Sequence, residues 1–411
     1  MRVSTIEIIE LDDGCQLQAL VESDIDPGDA RWLEPFVLWY RFPAWCRPFL
    51  NAENGDPFLA ALLVGAMRTE ERLAIAAPIS PRLLDALPEI QAIYDAFEPR
   101  ATPILVEATT REASPATSEE TPGIGLFFSL GVDSWYSLLK TLRDHSGDAR
   151  RITHLIPVHG IDVPSAAGNE RFPPELLKNF ERVARETGKT LTPVVTNVRQ
   201  VTAPLAPWPT LHGGGLIAVA LALGGALRRI HIAASTTYDR LYPWGSHPVL
   251  DRLWATEQLE VVHDGCEMNT IDKTSIIAEL NPALVLETIR PCAGYGPGYN
   301  CGLCIKCMRT MIDLLQFGYL DQCRTLPHEI DVVRLGEVLR PGSPVHVADF
   351  TRRLHALEAL GIAPDVQTVL REHLAGGMAA KWTGSANASS QPRRRQPIIE
   401  RVLGRLSREP P

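Results

Sequence analysis

The sequence predicts an α/β fold: a mostly parallel sheet with helices on both faces, an added N-terminal α+β domain and a four-cysteine zinc knuckle. Three observations predict it. From Gly123 to about Glu287, short apolar runs alternate with segments of helical periodicity. Runs such as Leu155-Ile-Pro-Val158 and Ile230-His-Ile-Ala233 do not alternate apolar with polar, as strands buried on both faces require. Finally, Cys301, Cys304 and Cys307 recur at three-residue spacing, with Cys292 nine residues upstream.

In chain order, residues 3–10 and 16–21 read as short strands joined by Asp-Asp-Gly. Trp32–Phe49 is dense in aromatics (Trp39, Tyr40, Phe42, Trp45) and suits a core or domain interface, or the mouth of a substrate site. Residues 57–68 read as a helix and 73–77 as an extended segment. A further helix over 81–97 starts after Ser80-Pro81, a normal capping arrangement. Residues 104–107 read as a strand, which closes an N-terminal domain over 1–108. The Thr-, Ser-, Pro- and Glu-rich 109–122 reads as a linker. The α/β domain over 123–290 then has expected strands at 123–129, 151–158, 191–196, 229–234, 259–263 and 284–287. Its expected helices lie at 134–144, 174–187, 211–223 and 273–280. The knuckle and a helix over 305–317 fill 291–330. A C-terminal extension over 331–411 ends in a Ser/Gln/Pro/Arg-rich stretch, 384–396, read as a mobile linker before a short helix.

The chain has 411 residues, enough for a full core and more than one domain. A net charge of −9 argues against non-specific nucleic-acid binding as its main role. The triplet Arg393-Arg394-Arg395 is weak support for RNA contact without interleaved aromatics. Four of the eight cysteines cluster and four are scattered, which suits a reducing compartment better than a disulfide framework. The start of the sequence shows no apolar signal segment, and the apolar run 215–225 is too short to span a bilayer. A cytoplasmic protein with no membrane partner is the expectation.

Thiolates separated by two residues can converge on one tetrahedral Zn²⁺, and Gly302 supplies the tight turn between them. With Cys292, Cys301, Cys304 and Cys307 all filling ligand positions, the metal expected is closed and structural. An iron–sulfur cluster and four buried free cysteines are the alternatives.

The run Phe127-Phe-Ser-Leu-Gly-Val-Asp-Ser134 joins the first core strand to its helix. It falls at the carboxyl edge of a parallel sheet, where ligands bind in such folds. Gly131 permits close backbone approach, Ser129 and Ser134 add hydroxyls, and the following helix start can take phosphate. Asp133 suits capping of the loop or a Mg²⁺ ligand better than direct phosphate contact. The run is not a Walker A loop, and it also suits an ordinary strand–helix turn.

Ser129-Leu-Gly-Val-Asp-Ser134 resembles the Ser-Gly-Gly-x-Asp-Ser loop of the PP-loop ATP pyrophosphatases, the N-type ATPases of the adenine nucleotide alpha-hydrolase superfamily. Within it the 7-cyano-7-deazaguanine synthase group is most similar. Those proteins also carry a Cys…Cys-Gly-x-Cys-x-x-Cys knuckle and a lysine opening a helix between loop and knuckle, as in Ile271-Asp-Lys-Thr274. The resemblance covers about residues 123–320 and implies a Rossmann-like PP-loop sheet. It also implies cleavage of ATP to AMP and pyrophosphate, adenylation of a carboxylate or carbonyl oxygen, and attack by a nitrogen nucleophile. Carried over by position, Ser129, Gly131, Val132, Asp133 and Ser134 would bind pyrophosphate. Lys273 would stabilise phosphate charge, and His159 and Asp162 would flank the nucleotide. The implied cofactors are ATP, Mg²⁺ and Zn²⁺, and a homodimer is in keeping with the family. Leu130 departs from the Ser-Gly-Gly signature, and the first 120 residues have no counterpart in the group.

Other polar clusters stand near the expected cleft. Tyr238, Tyr242, Trp244, Ser246 and His247 could stack on a planar substrate or form a packed turn. Gly213-Gly-Gly215 could admit a ligand or allow tight helix packing. His263 could assist proton transfer or be structural. The leading expectation is an AMP-forming C–N ligase acting on a small molecule or modified peptide. A nucleotide-binding sensor with little turnover is an alternative, and sulfur insertion relying on Cys266 or Cys46 is another.

Overall fold

The computed structural model describes residues 1–112, 122–144, 151–162, 170–292, 294, 299–339 and 344–384. Most of the expected linker, the stretch 385–396 and the arginine triplet lie outside the described residues. The chain divides into two compact units, residues 1–335 and 336–411.

The first unit opens with β1 (Arg2–Leu11), β2 (Gly14–Glu22) and β3 (Phe36–Phe42), followed by a 3-10 turn at Ala44–Phe49. Next come α1 (Asp56–Thr69), β4 (Leu73–Ile75), α2 (Pro81–Phe97) and β5 (Val106–Glu107). The α/β portion contains β6 (Gly123–Phe127), α3 (Val132–Asp144), β7 (His154–Ile156), β8 (Val158–His159), α4 (Pro174–Thr187), β9 (Thr190–Leu191) and β10 (Val194–Thr196). It continues through α5 (Val198–Thr202), α6 (Trp208–Ala222), β11 (Leu227–Ala233), α7 (Pro248–Asp251), β12 (Glu260–Asp264), α8 (Thr270–Leu280), α9 (Pro282–Thr288) and α10 (Ile305–Gln316). Then α11 (Val332–Val338) leads to α12 (Pro344–Leu360) and α13 (Pro364–Gly384) of the second unit.

Five strands form a wholly parallel sheet in the order β12-β11-β6-β7-β9. The chain leaves β6 toward β7 on one side and returns to β11 on the other. The strand order therefore reverses at the carboxyl end of β6, which opens a crevice there. A second, mixed sheet runs β5-β4-β1-β2-β3-β10-β8. The single strands expected over 151–158 and 191–196 are each divided between the two sheets. Pro157 stands between β7 and β8, and Thr192-Pro193 between β9 and β10. A proline cannot donate to the ladder, so it suits the corner where a strand changes sheet.

The segment 1–108, expected as an accessory domain, thus shares a sheet with β8 and β10. Thr196 pairs with Tyr40, and the side chain of Asn197 extends the ladder. Its Oδ1 accepts from the Trp39 amide at 2.9 Å and its Nδ2 donates to the Val37 carbonyl at 2.7 Å. One core runs through both portions, with Phe58, Leu62 and Tyr94 in the same cluster as Ile217, Ile230 and Trp254. One element differs in type. Residues 284–287, expected as a strand, lie in helix α9, which starts at Pro282 behind Asn281. The Asn281 Oδ1 accepts from the Leu284 amide at 3.3 Å, so the Asn-Pro pair is a helix start.

In the second unit, α12 and α13 form a helical hairpin. Buried Arg353 pairs with Asp349 at 2.8 Å, and Gln367 donates to the carbonyls of Leu357 and Ile362 at 3.1 and 2.9 Å. Among the described residues no helix is long and apolar enough to cross a membrane.

Candidate functional site

At the carboxyl end of β6 a cleft of about 320 Å³ opens over the parallel sheet. The loop after β6 forms its floor. The hydroxyls of Ser129 and Ser134 lie 3.3 Å apart, Gly131 N–H donates to Ser129 Oγ at 3.3 Å, and Ser134 Oγ donates to the Gly131 carbonyl at 3.0 Å. Both serines therefore hold the loop as well as face the cleft. Gly131, Val132, Asp133 and Ser134 all line it, so the first turn of α3 opens on the cleft. The amides of a first helical turn have no partner within the helix and can take an anion.

Leu130 sits in this loop at φ +63°, the left-handed region that favours glycine. It occupies the position where the Ser-Gly-Gly signature has glycine. The backbone keeps the glycine-like turn, and the side chain turns fully inward to a core that includes Phe128 and Trp135. The carbonyl of Leu130 accepts from the Arg290 amide at 2.8 Å, which ties the loop to the segment before Cys292.

Lys273, from the first turn of α8, reaches this loop from below. Its side chain is 1 % exposed, and its ammonium donates to Asp133 Oδ1 at 2.9 Å and the Ala234 carbonyl at 2.6 Å. Tertiary structure thus brings Asp133 and Lys273 together across 140 residues of chain. Lys273 is not among the residues lining the cleft, whereas Asp133 is. Asp162 also lines it. His159 does not: it is buried in β8 with its ring 5.4 Å from that of Phe172.

Cationic side chains that the sequence reading did not single out complete the lining. Arg290 precedes Cys292 by two residues, and Lys306 and Arg309 project from the start of α10. Their signal was available in the short motifs Arg290-Pro-Cys292 and Cys304-Ile-Lys-Cys-Met-Arg309. On the opposite wall, Trp244 packs against His212 and Tyr242 at ring distances of 5.2 and 5.4 Å. Trp244, Ser246 and His212 line the cleft, Tyr238 points outward, and His247 is buried as the cap of α7.

Behind Ser246 lies an ordered polar group. Buried Asp251 accepts from Ser246 Oγ at 2.7 Å and lies 2.7 Å from His263 Nδ1. Burial opposes a charge on His263, but its bond to Asp251, helped by the neighbouring Cys266, outweighs this and raises its pKa to about 9. His263 also lines the cleft. The first two of the three glycines of α6 serve packing. A Cβ on Gly213 would lie 1.8 Å from the Gly245 carbonyl oxygen, and one on Gly214 would lie 2.5 Å from that of Ala60.

Beside the cleft, Cys292, Cys301, Cys304 and Cys307 bring their sulfurs within 4.8 Å of one another. The Cys292–Cys301, Cys301–Cys307 and Cys292–Cys304 sulfur separations are 3.5, 3.8 and 4.0 Å. A tetrahedral metal with bonds of about 2.3 Å requires sulfurs about 3.8 Å apart, so the cluster could hold a metal such as zinc. Hydrogen bonds from Cys304 and Cys307 hold the Cys292 thiol well below its usual range, while the bond to Cys292 pushes Cys307 up. Gly302 has φ +65°, the left-handed turn expected between the thiols. Cys15, Cys46, Cys266 and Cys323 lie apart from this cluster, and all four are buried.

No protein-family model matches the chain, and no curated protein or solved structure matches it.

Proposed function

We propose that the chain is an ATP-dependent, AMP-forming enzyme that adenylates a carboxylate or carbonyl oxygen and passes the acyl group to a nitrogen nucleophile. The observation that carries this reading is the cleft at the carboxyl end of β6. It is floored by a serine-rich turn and a helix start and walled by Arg290, Lys306 and Arg309. Such a site can take a polyphosphate. The likeness of 129–134 to the pyrophosphate loop, followed by the four cysteines in the same order, supplies the chemistry. The acceptor oxygen attacks the α-phosphorus, the α–β bond breaks and pyrophosphate leaves. Nitrogen then attacks the acyl carbon, the bond to AMP breaks and the nitrogen loses a proton.

Asp133 faces the cleft and would hold Mg²⁺ accompanying ATP. Lys273 fixes Asp133 rather than meeting phosphate directly. Zinc at the four cysteines would be structural, since all its positions are filled by protein. The acceptor would be a small molecule or modified peptide lying along the Trp244 wall.

The test is turnover of α-³²P-ATP by zinc-loaded protein with carboxylate and amine pools. Labelled AMP should appear and should vanish in Ser134→Ala. Asp133→Ala should abolish it too. It also leaves the buried Lys273 ammonium with the Ala234 carbonyl but without its carboxylate partner, so Asp133→Asn is the companion variant. ADP in place of AMP would overturn the reading. A nucleotide-binding sensor is the second reading, favoured by the burial of Lys273 against Asp133. Tight ATP binding with no product would support it.

A further inference from the structure

We propose that phosphate is gripped between two arms, the 129–134 loop and a basic wall of Arg290, Lys306 and Arg309, and that metal at the four cysteines sets the wall's position and hence its affinity for phosphate. This rests on the reading of the cleft as a polyphosphate site, but not on any bond being broken there.

The wall is built around the thiol cluster. Arg290 lies two residues before Cys292, Lys306 lies between Cys304 and Cys307, and Arg309 lies two residues after Cys307. No cation of the wall is therefore more than two residues from a metal ligand. All three line the same cleft as the loop. Cys304 caps α10, with its carbonyl accepting from the Met308 amide at 2.9 Å, and Cys307 lies in the first turn. Lys306, Arg309 and Thr310 lie three and four residues apart on one helical face and line the cleft, while Met308, Met311 and Ile312 are buried. A metal joining Cys292 to Cys304 and Cys307 would lock the Arg290 segment to the start of this helix. Without it, Asn300 still ties the segment to the other arm of the cluster, accepting from the Cys292 amide at 3.3 Å and donating to the Ile289 carbonyl at 3.0 Å, while Cys292 meets the start of α10 through a thiol contact at 4.0 Å.

The wall is also tied to the loop. The Arg290 amide holds the Leu130 carbonyl at 2.8 Å, so a shift in the segment before Cys292 is felt at the turn itself. Charge gives the wall its role. Asp133 and Asp162 both face the cleft, and Lys273 is paired with Asp133 outside it. Among the described residues, Arg290, Lys306 and Arg309 join His263 in bringing positive charge to the cleft lining. Arginine forks and a lysine point charge suit the several oxygens of a di- or triphosphate.

The experiment is calorimetric titration of inorganic pyrophosphate into the full-length chain, zinc-loaded and after chelation, with far-UV circular dichroism to follow the helices. Zinc-loaded protein should bind. The stripped protein should bind at least tenfold more weakly while its dichroism is retained. In zinc-loaded protein Lys306→Ala and Arg309→Ala should each weaken binding severalfold and flatten its salt dependence. Lys306 is exposed, so its truncation leaves the core intact. Equal affinity with and without zinc in folded protein would overturn the inference, as would unchanged binding in the Lys306→Ala/Arg309→Ala double variant. If stripping unfolds the chain, Cys301→Ser, which removes one of the four ligands, takes the place of chelation, and full-strength binding in that folded, zinc-depleted variant overturns the inference. The inference and the ligase reading fail separately. Wall-dependent pyrophosphate binding without AMP formation sinks only the ligase reading, and AMP formation with wild-type binding in the wall variants sinks only the inference.

Discussion

Leu130 sets two residue-scale effects against each other. Its left-handed backbone costs about 1–2 kcal/mol, which glycine would relieve. Its side chain is completely buried, and deleting a buried leucine costs about 3–5 kcal/mol. Packing is the larger effect, so Leu130→Gly should lower stability by about 1–4 kcal/mol in urea unfolding. A gain in stability would mean that strain outweighs burial. His263 makes a pH-dependent contribution. Its pKa is raised in the folded state to about 9, against about 6.5 unfolded. The added stability, about 3 kcal/mol at most, is therefore full below pH ~6.5 and is lost as pH rises toward 9. Thermal melts across that window should show the decline, and Asp251→Asn should flatten it. An unchanged slope in the variant would place the raised pKa elsewhere.

Among the elements, α6 shows how a glycine run is divided between roles. Gly213→Ala would press a Cβ into the Gly245 carbonyl at 1.8 Å, and neither backbone can give way cheaply. A loss of more than about 2 kcal/mol is expected, as for other overpacked sites. Two residues on, a Cβ at Gly215 would come no closer to any neighbour than the Trp208 ring at 3.4 Å. Gly215→Ala should be neutral or stabilise by up to about 1 kcal/mol through helix propensity. Comparing the two melting temperatures checks both, and equal losses would mean that the loop over 241–247 does not bear on α6. The same loop carries Trp244 and Ser246 into the cleft, so Gly213→Ala should also disturb that wall.

For the whole first unit, the thiol cluster adds to a junction that Asn300 and Thr325 already bond to the Ile289 carbonyl. One zinc per chain is expected by atomic absorption, falling below one in Cys301→Ser. Chelation should lower the melting temperature, because metal bound only to the folded chain adds its binding energy to stability. A melting temperature indifferent to chelator would show that the four thiols are a packed cluster without a metal role. The two sheets add a second constraint at this scale. Strand pairs divided at Pro157 and at Thr192-Pro193 bind β3 to the α/β portion, so truncation at residue 122 should strip β3 from β10 and leave it paired with β8 alone. The fragment 123–335 is expected to be insoluble or molten, and a cooperative melt from it would overturn that.

Local spacing determined much of this protein from sequence alone. Helix α1 follows from a continuous apolar run behind Pro57, α2 and α4 from apolar periodicity and prolines at their starts, and β6, β11 and β12 from short apolar stretches between turn signals. The gathering of Cys292, Cys301, Cys304 and Cys307 follows from their separation along the chain. The turn at 129–134 was legible for the same reason, since its hydrogen bonds join residues two to five apart. What tertiary structure decided lies between distant segments. The burial of Lys273 against Asp133, the pairing of β3 with β10, the Asp251–His263 bond and the gathering of Arg290, Lys306 and Arg309 at one cleft each depend on how the sheets stack. Periodicity reports which face of an element is apolar, but not which element covers it. For that reason the sequence marked where an anion could bind, and only the packed chain showed which cations face it.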